Sequence, residues 1–260
     1  IAVSAARAAG QIILRNIPRI ESLKVHEKAP NDFVTEVDHK AEQEIIYVLQ
    51  KSFPDYGIIA EESGVTEGKE DSQWIIDPLD GTTNFVRGIP HVAISIACRI
   101  KGKLEHAVIL EPFKNEEFTA SRGNGAKLNG RRIRVSGRTE EAGALYATGI
   151  PFSPPSFNEM DSYLACMHEF ADNSAGIRRM GVASLDLAYV AAGRMDVFWE
   201  MSLKPWDIAA GVLIVREAGG MVSDFQGGEK FMETGHILAC TPKLFKPSLK
   251  VLSKHLGHIK

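Results

Sequence analysis

The chain has 260 residues, of which 44% are hydrophobic and 24% charged, with a formal net charge of −3. That length suits one sizeable domain or two intimate subdomains, and the near-neutral balance excludes a global positive field that would draw the protein to nucleic acid or anionic lipid. The cysteines Cys98, Cys166 and Cys240 lie far apart and form no C-x-x-C pair, which argues against a disulfide framework or zinc site and suits a reducing cytoplasm.

No apolar run approaches the roughly 20 residues that span a bilayer. The N-terminal stretch IAVSAARAAGQIIL carries Arg7 within its apolar run, unlike a secretory signal. Its apolar residues recur at helical spacing up to Asn16–Pro18, and a second helix is expected over HKAEQEIIYVLQKSF, ending at Pro54. Between them NDFVTEVD reads as an extended or turn segment. From Gly57 to Pro112 the pattern turns to strands: GIIAEES, QWIID, HVAISIACRI and LEHAVILEP. The segment EEFTASRGNGAKLNGRRIRV predicts short strands joined by Gly and Asn turns.

Near residue 140 this antiparallel half gives way to alternating strand and helix. Strands are expected at GALYATG, GIRRMG and DVFWE, and helices at DSYLACMHEFAD and ASLDLAYVAAG. WDIAAGVLIVREAGG predicts a further helix, acidic at its start and stopped by Gly219–Gly220. The C-terminal KLFKPSLKVLSKHL is amphipathic, with its lysines on a solvated face. The pattern predicts an α+β or α/β chain in two subdomains, residues 1–140 and 141–260, with helices layered against sheets.

The stretch WIIDPLDGTTNF, residues 74–85, carries the most chemistry. Trp74, Ile75 and Ile76 predict a buried strand that brings Asp77 to a sheet edge. Pro78 cannot donate to a ladder, so pairing is expected to stop there, leaving the Leu79 carbonyl unpaired and Asp80 beside Asp77. Two carboxylates and a carbonyl are hard oxygen ligands, suited to Mg²⁺ rather than zinc. Gly81, Thr82 and Thr83 follow at once, and a short helix starting there would aim free N–H groups at an anion such as phosphate. The bland alternative is an ordinary Asp-Gly turn. More acids bear on the choice. Glu61 and Glu62 end the preceding apolar run, and Asp207 opens a downstream helix, where it also reads as a cap.

GIIAEES, WIIDPLDGTTNF and PWDIAAGVLIVREAGG together resemble the inositol monophosphatase family, in order and in register over nearly the whole chain, closest to its bacterial SuhB-type branch. The resemblance implies a layered αβαβα sandwich of the sugar-phosphatase type, shared with fructose-1,6-bisphosphatase. It implies a Mg²⁺-dependent, lithium-sensitive phosphomonoesterase that converts inositol 1-phosphate, and similar small polyol phosphates, to alcohol and phosphate. Its metal ligands fall on Glu61, Asp77, the Leu79 carbonyl, Asp80 and Asp207, with Asp77 bridging two ions. Thr82 and Glu61 match the pair that activates water, and Asp38 an acid that supports the threonine; Asp38 also reads as a helix cap before HKAEQE. The Gly81 and Thr82 amides match phosphate contacts, and Leu79, Asp80 and Asp207 also fall in the implied substrate site. Gly181, Val182 and Ala183 match a substrate loop, and Glu200 an acceptor for sugar hydroxyls, although a Glu after Phe-Trp also reads as a solvated strand end.

Two departures stand out: Val182 has no hydroxyl where the family often has Thr or Ser, and Ser202 replaces a usual Gly. The resemblance also implies a homodimer and, for the SuhB-type branch, a second role as a transcription antitermination partner of RNA polymerase and Nus factors. GRRIRVSGR, with Arg131, Arg132, Arg134 and Arg138, joined by Arg178 and Arg179, is the local feature for that role; its charge pattern alone favours a solvated hairpin.

Overall fold

The computed structural model describes residues 1–23, 25–29, 32–151 and 156–259. The first helix, α1 (Ala2–Asn16), buries Ala5, Ala6, Ala9 and Ile13 along one stripe, as the spacing requires. A short hairpin of β1 (Val25–Ala29) and β2 (Asp32–Thr35) leads into α2 (Glu36–Ser52). Within the expected extended segment NDFVTEVD, Asn31 lies outside the described residues. The helix begins at Glu36, earlier than the periodicity predicts, because Thr35 and Asp38 form a capping box around its first turn.

The chain then lays down β3 (Gly57–Ala60), β4 (Gly64–Thr66), β5 (Ser72–Asp80), the short α3 (Thr82–Val86), β6 (Ala93–Ile100), β7 (Lys103–Glu111), β8 (Glu116–Ser121), β9 (Ala126–Leu128) and β10 (Arg131–Arg132). These strands build one eight-stranded sheet in the order β10-β9-β8-β7-β6-β5-β3-β4. The antiparallel reading holds except at one place. Because β4 folds back as the edge strand, β5 crosses to the other side of β3 and pairs with it in parallel. The last hairpin closes on Asn129–Gly130, both at positive φ, the signature of the tight turn that an Asn-Gly pair favours.

The remaining elements are β11 (Leu145–Thr148), α4 (Met160–Ala171), β12 (Gly176–Arg178), α5 (Ala183–Ala191), β13 (Val197–Glu200), α6 (Pro205–Glu217), β14 (Met221–Ser223), α7 (Phe231–Thr234), β15 (Ile237–Cys240) and α8 (Phe245–Leu256). Their strands form a five-stranded mixed sheet, β12-β11-β13-β15-β14. Helices α5 and α6 touch both sheets, α1 and α2 cover the far face of the larger sheet, and α4 and α8 cover the far face of the smaller. The result is the expected αβαβα sandwich, with one apolar core under each outer helix layer and a third that runs from sheet to sheet around the middle helices.

The middle layer carries the tightest constraint. Helices α5 and α6 are buried nearly all round, as helices between two sheets must be. A Cβ at Gly211 would lie 2.4 Å from Leu187 Cδ1 and 2.6 Å from Leu187 Cβ, so the two helices meet at bare backbone. At the other departure from the family pattern, Ser202 holds φ at 63°, the left-handed region that favours the usual Gly.

Gly211→Val is expected to destabilise the protein by about 2 kcal/mol through overpacking of this seam. Urea unfolding followed by circular dichroism measures it, and a variant as stable as wild type would contradict the close-approach account.

Candidate active site

Parallel pairing of β3 and β5 sends both strands to the same sheet edge. Ala60 lies opposite Ile76, and the Glu61 amide donates to the Ile76 carbonyl at 3.2 Å, so Glu61 and Asp77 emerge side by side. The turn that carries Glu61 is fixed from α2. Buried Glu42 accepts from the amides of Glu62 and Ser63, each at 2.8 Å.

Strand β5 does not end at Pro78, as the missing N–H predicts. The ladder to β6 skips two residues and resumes at Asp80, opposite Ala93. Pro78 therefore sits in a bulge, where no ladder N–H is needed, and the extra residues bring Asp77 and Asp80 to one side. Asp77 is 2% exposed and its Oδ1 accepts from the Leu79 amide at 2.9 Å. The Leu79 carbonyl lies outside the ladder pairs but within 3.1 Å of the Thr82 hydroxyl.

The middle helices hold Asp80, at the end of β5, and carry Asp207. Ser184, in the first turn of α5, donates its amide (2.8 Å) and hydroxyl (2.6 Å) to Asp80 Oδ2. Ser95 pairs with Asp77 across the ladder and donates its hydroxyl to the Trp206 carbonyl at 3.0 Å, which sets Asp207 beside the same edge. Asp207 Oδ2 also accepts from the Lys204 amide at 2.6 Å, so the cap and site readings hold together.

These carboxylates share one electrostatic field. Burial, then the charges of Glu61, Asp80 and Asp207, together with a hydrogen bond shared with Glu61, push Asp77 well above the usual carboxylate range. Burial, then Asp80, raises Asp207 likewise, with Glu61 and Glu200 adding to it. Burial raises Asp80 to about 6 against the opposing Ser184 hydrogen bonds. Among the described residues no Lys or Arg forms an ion pair with Asp77, Asp80 or Asp207.

Asp38 serves two segments. Its Oδ2 accepts from the Thr35 amide (2.9 Å) and hydroxyl (2.6 Å), closing the α2 cap, while Oδ1 accepts from the Thr82 hydroxyl at 2.9 Å. Burial raises its pKa in spite of these donors. Gly81 caps α3 at φ 92°, and a Cβ there would lie 2.7 Å from Val182 Cγ2 and 3.3 Å from the His91 carbonyl. The loop Gly181–Val182–Ala183 thus packs on the Gly81–Thr82 turn, and Asn84 ties the two by donating to the carbonyls of His91 (2.9 Å) and Met180 (3.0 Å). Val182 is buried in that contact, so the missing hydroxyl lies against Gly81. Glu200, at the end of β13, is raised to about 8 by burial, with Arg179 opposing and Asp80 adding. Its carboxylate is packed against the bare backbone of Gly149.

The profile of the inositol monophosphatase family matches residues 1–256. The chain belongs to the inositol monophosphatase family. It is 55% identical to a Pseudomonas aeruginosa protein named Nus factor SuhB, over 98% of this chain and 96% of that one. Among solved structures, the extragenic suppressor protein suhB of Bartonella henselae superposes with a TM-score of 0.94 at 43% identity, covering 98% of this chain and 97% of the other. A Thermotoga maritima IMPase matches with a TM-score of 0.89 at 36% identity, covering 99% and 97%.

The family's usual cation fits the chemistry of these residues. Every donor is a hard oxygen, and a divalent cation would offset the burial that raises Asp77, Asp80 and Asp207 and the mutual repulsion that adds to it at Asp77 and Asp207. Among the described residues, no group of three or more His, Cys, Asp or Glu is arranged to hold a metal ion as it stands; the carboxylates share a field rather than a closed cage.

Several supporting residues escape sequence reasoning. Glu42, Ser95 and Ser184 act by hydrogen bonding across long sequence separations, which no local pattern reveals. Arg179 is grouped by sequence with the basic hairpin, yet it opposes the charge of Glu200 instead. The arginines do not form one patch. Arg138 binds Asp196 at 3.3 Å and the Ala142 carbonyl at 2.9 Å, near the start of β11, while Arg178 pairs with Ala147 toward its end.

Because the folded-state pKa of Asp80 is raised, its contribution to stability is full below the ordinary carboxylate value and is lost as pH rises through about 6. In chelator-treated protein, Asp80→Asn is expected to raise the melting temperature relative to wild type at pH 8, with the difference shrinking toward pH 4. A constant difference across that range would contradict the assignment.

Proposed function

We propose that the protein is a Mg²⁺-dependent phosphomonoesterase that hydrolyses inositol 1-phosphate, and similar small polyol phosphates, to alcohol and phosphate. The observation that carries this reading is the convergence of Glu61, Asp77, Asp80 and Asp207 in one field beside the Asp38–Thr82 hydrogen bond. Glu61, Asp77, the Leu79 carbonyl, Asp80 and Asp207 would hold the cations. Bound there, Mg²⁺ supplies neutralisation of the ester's negative charge, a lowered pKa for water and stabilisation of the leaving alkoxide.

The chain's own groups do the rest. Thr82 donates its hydroxyl proton to Asp38, which leaves its oxygen lone pairs to accept from a water and orient it for in-line attack. Glu61 takes the proton that the water loses. Amides at Gly81 and Thr82, in the first turn of α3 where no helical acceptor exists, receive the phosphate oxygens. Gly181, Val182, Ala183 and Glu200 face the alcohol half. Lithium is expected to inhibit, as in the family.

The 55% identity to a relative named as a Nus factor supports a second role, association with RNA polymerase and Nus factors. The exposed arginines of the β9–β10 hairpin and its continuation, Arg131, Arg132 and Arg134, offer the charged surface for it. A homodimer in the cytoplasm completes the reading. Among the described residues no helix is long and apolar enough to cross a membrane, and the three cysteines are free and buried.

Asp77→Asn is expected to lower kcat for phosphate release from inositol 1-phosphate by about a thousandfold or more at saturating Mg²⁺. Activity within tenfold of wild type, or wild-type activity that survives chelation, would sink the mechanism. The combined change of Arg131, Arg132 and Arg134 to Ala is expected to abolish pull-down of RNA polymerase while Asp77→Asn retains it. Undiminished pull-down by the triple variant rules out the hairpin as the contact.

A further inference from the structure

One buried acid beside this site has no role in the mechanism above. Asp186 lies in α5, two residues beyond Ser184, which holds Asp80. It is 1% exposed, and neither carboxyl oxygen has a hydrogen-bond partner. A polar group buried so completely is normally paired, and one without a partner in the protein points to a partner from outside it. Its surroundings say where that partner would sit. Burial first, then the charges of Glu200 and Asp80, push Asp186 well above the usual carboxylate range, and Arg179 opposes them. Asp186 therefore lies in the electrostatic field of both the acid assigned to sugar hydroxyls and the acid at the phosphate end. Glu200 in turn sits where Gly149 offers no side chain, since a Cβ there would lie 1.8 Å from Glu200 Oε1.

We propose that Asp186 and Glu200 together form a two-carboxyl pocket for hydroxyl groups on the alcohol half of the substrate, which makes Asp186 a specificity residue for polyol esters over esters without free hydroxyls. This rests on the phosphomonoesterase reading and deepens it. A polyol presents hydroxyls that both give and accept hydrogen bonds, which two neighbouring carboxyl groups can match. A site built to bond a hydroxyl discriminates against an analogue lacking it, because the buried polar group is then left unpaired.

Asp186→Asn keeps the shape of the side chain and removes the acid. Phosphate release is measured with Mg²⁺ on inositol 1-phosphate and on phenyl phosphate, whose alcohol half carries no free hydroxyl. The ratio of kcat/KM for the inositol ester to that for the phenyl ester is expected to fall about tenfold or more, with the loss mainly in KM for the inositol ester. A ratio within twofold of wild type, whether both esters slow together or neither does, overturns the proposal in favour of a purely structural acid. Asp186→Ser, which leaves room for water, supplies the same ratio if the Asn protein does not fold. Wild type that cleaves phenyl phosphate but not inositol 1-phosphate overturns the polyol pocket and leaves the phosphatase standing. Release from neither ester overturns the phosphatase reading itself.

Discussion

The repulsion among buried carboxylates at one sheet edge is the constraint on which the rest of this structure turns. Taking even one carboxylate out of water is costly, and gathering several without a basic partner is costlier still. Asp77 shows the consequence, held well above its ordinary range by burial and by the charges of Glu61, Asp80 and Asp207. A fold tolerates such a cluster only if each member is tied down by other means. Here the ties are the Leu79 amide, the Ser184 amide and hydroxyl, and the Lys204 amide. They hold the acids in place without supplying a positive charge, which a divalent cation would supply.

The layering of the molecule explains how these acids come from such distant parts of the chain. The larger sheet contributes Asp77 and Asp80 from β5, and because β3 runs the same way, Glu61 just beyond its end emerges beside Asp77. Helices α5 and α6, wedged between the sheets, aim their first turns at that edge and bring Ser184 and Asp207 with them. The smaller sheet adds Glu200 from β13. Packing at Gly211 and at Gly81 keeps the layers close enough for this to work, since a side chain at either position would collide with Leu187 or Val182. Stability of the core and geometry of the site are therefore one problem in this protein.

Much of this was readable from residues alone. The helices followed from 3.6-residue spacing, and the strands from short β-branched runs bounded by turns. Asp77 and Asp80 followed from one local motif, whereas Asp207 read first as a helix cap and joined them only through the resemblance to inositol monophosphatases. What local patterns could not carry was pairing and contact. Sequence alone does not say that β4 folds outward and leaves β5 parallel to β3, nor that a ladder resumes beyond Pro78 by way of a bulge. Competing explanations for one residue also proved compatible. Asp38 caps α2 with one oxygen and holds Thr82 with the other, and Asp207 caps α6 while lying in the field of Asp80. Charge runs misled most. Arg138 and Arg179 looked like members of one surface, yet one is tied to Asp196 and the other answers Glu200, because β11 separates them.

Protons released on magnesium binding test the central claim most directly. Acids whose pKa values are raised by burial and mutual repulsion hold protons that a cation displaces, so calorimetric titration near pH 6 in buffers of different ionisation enthalpy should register proton release on Mg²⁺ binding. That release should shrink when Asp77 is replaced by Asn. Binding that takes place with no proton exchange, or proton release that is indifferent to Asp77, would contradict the account.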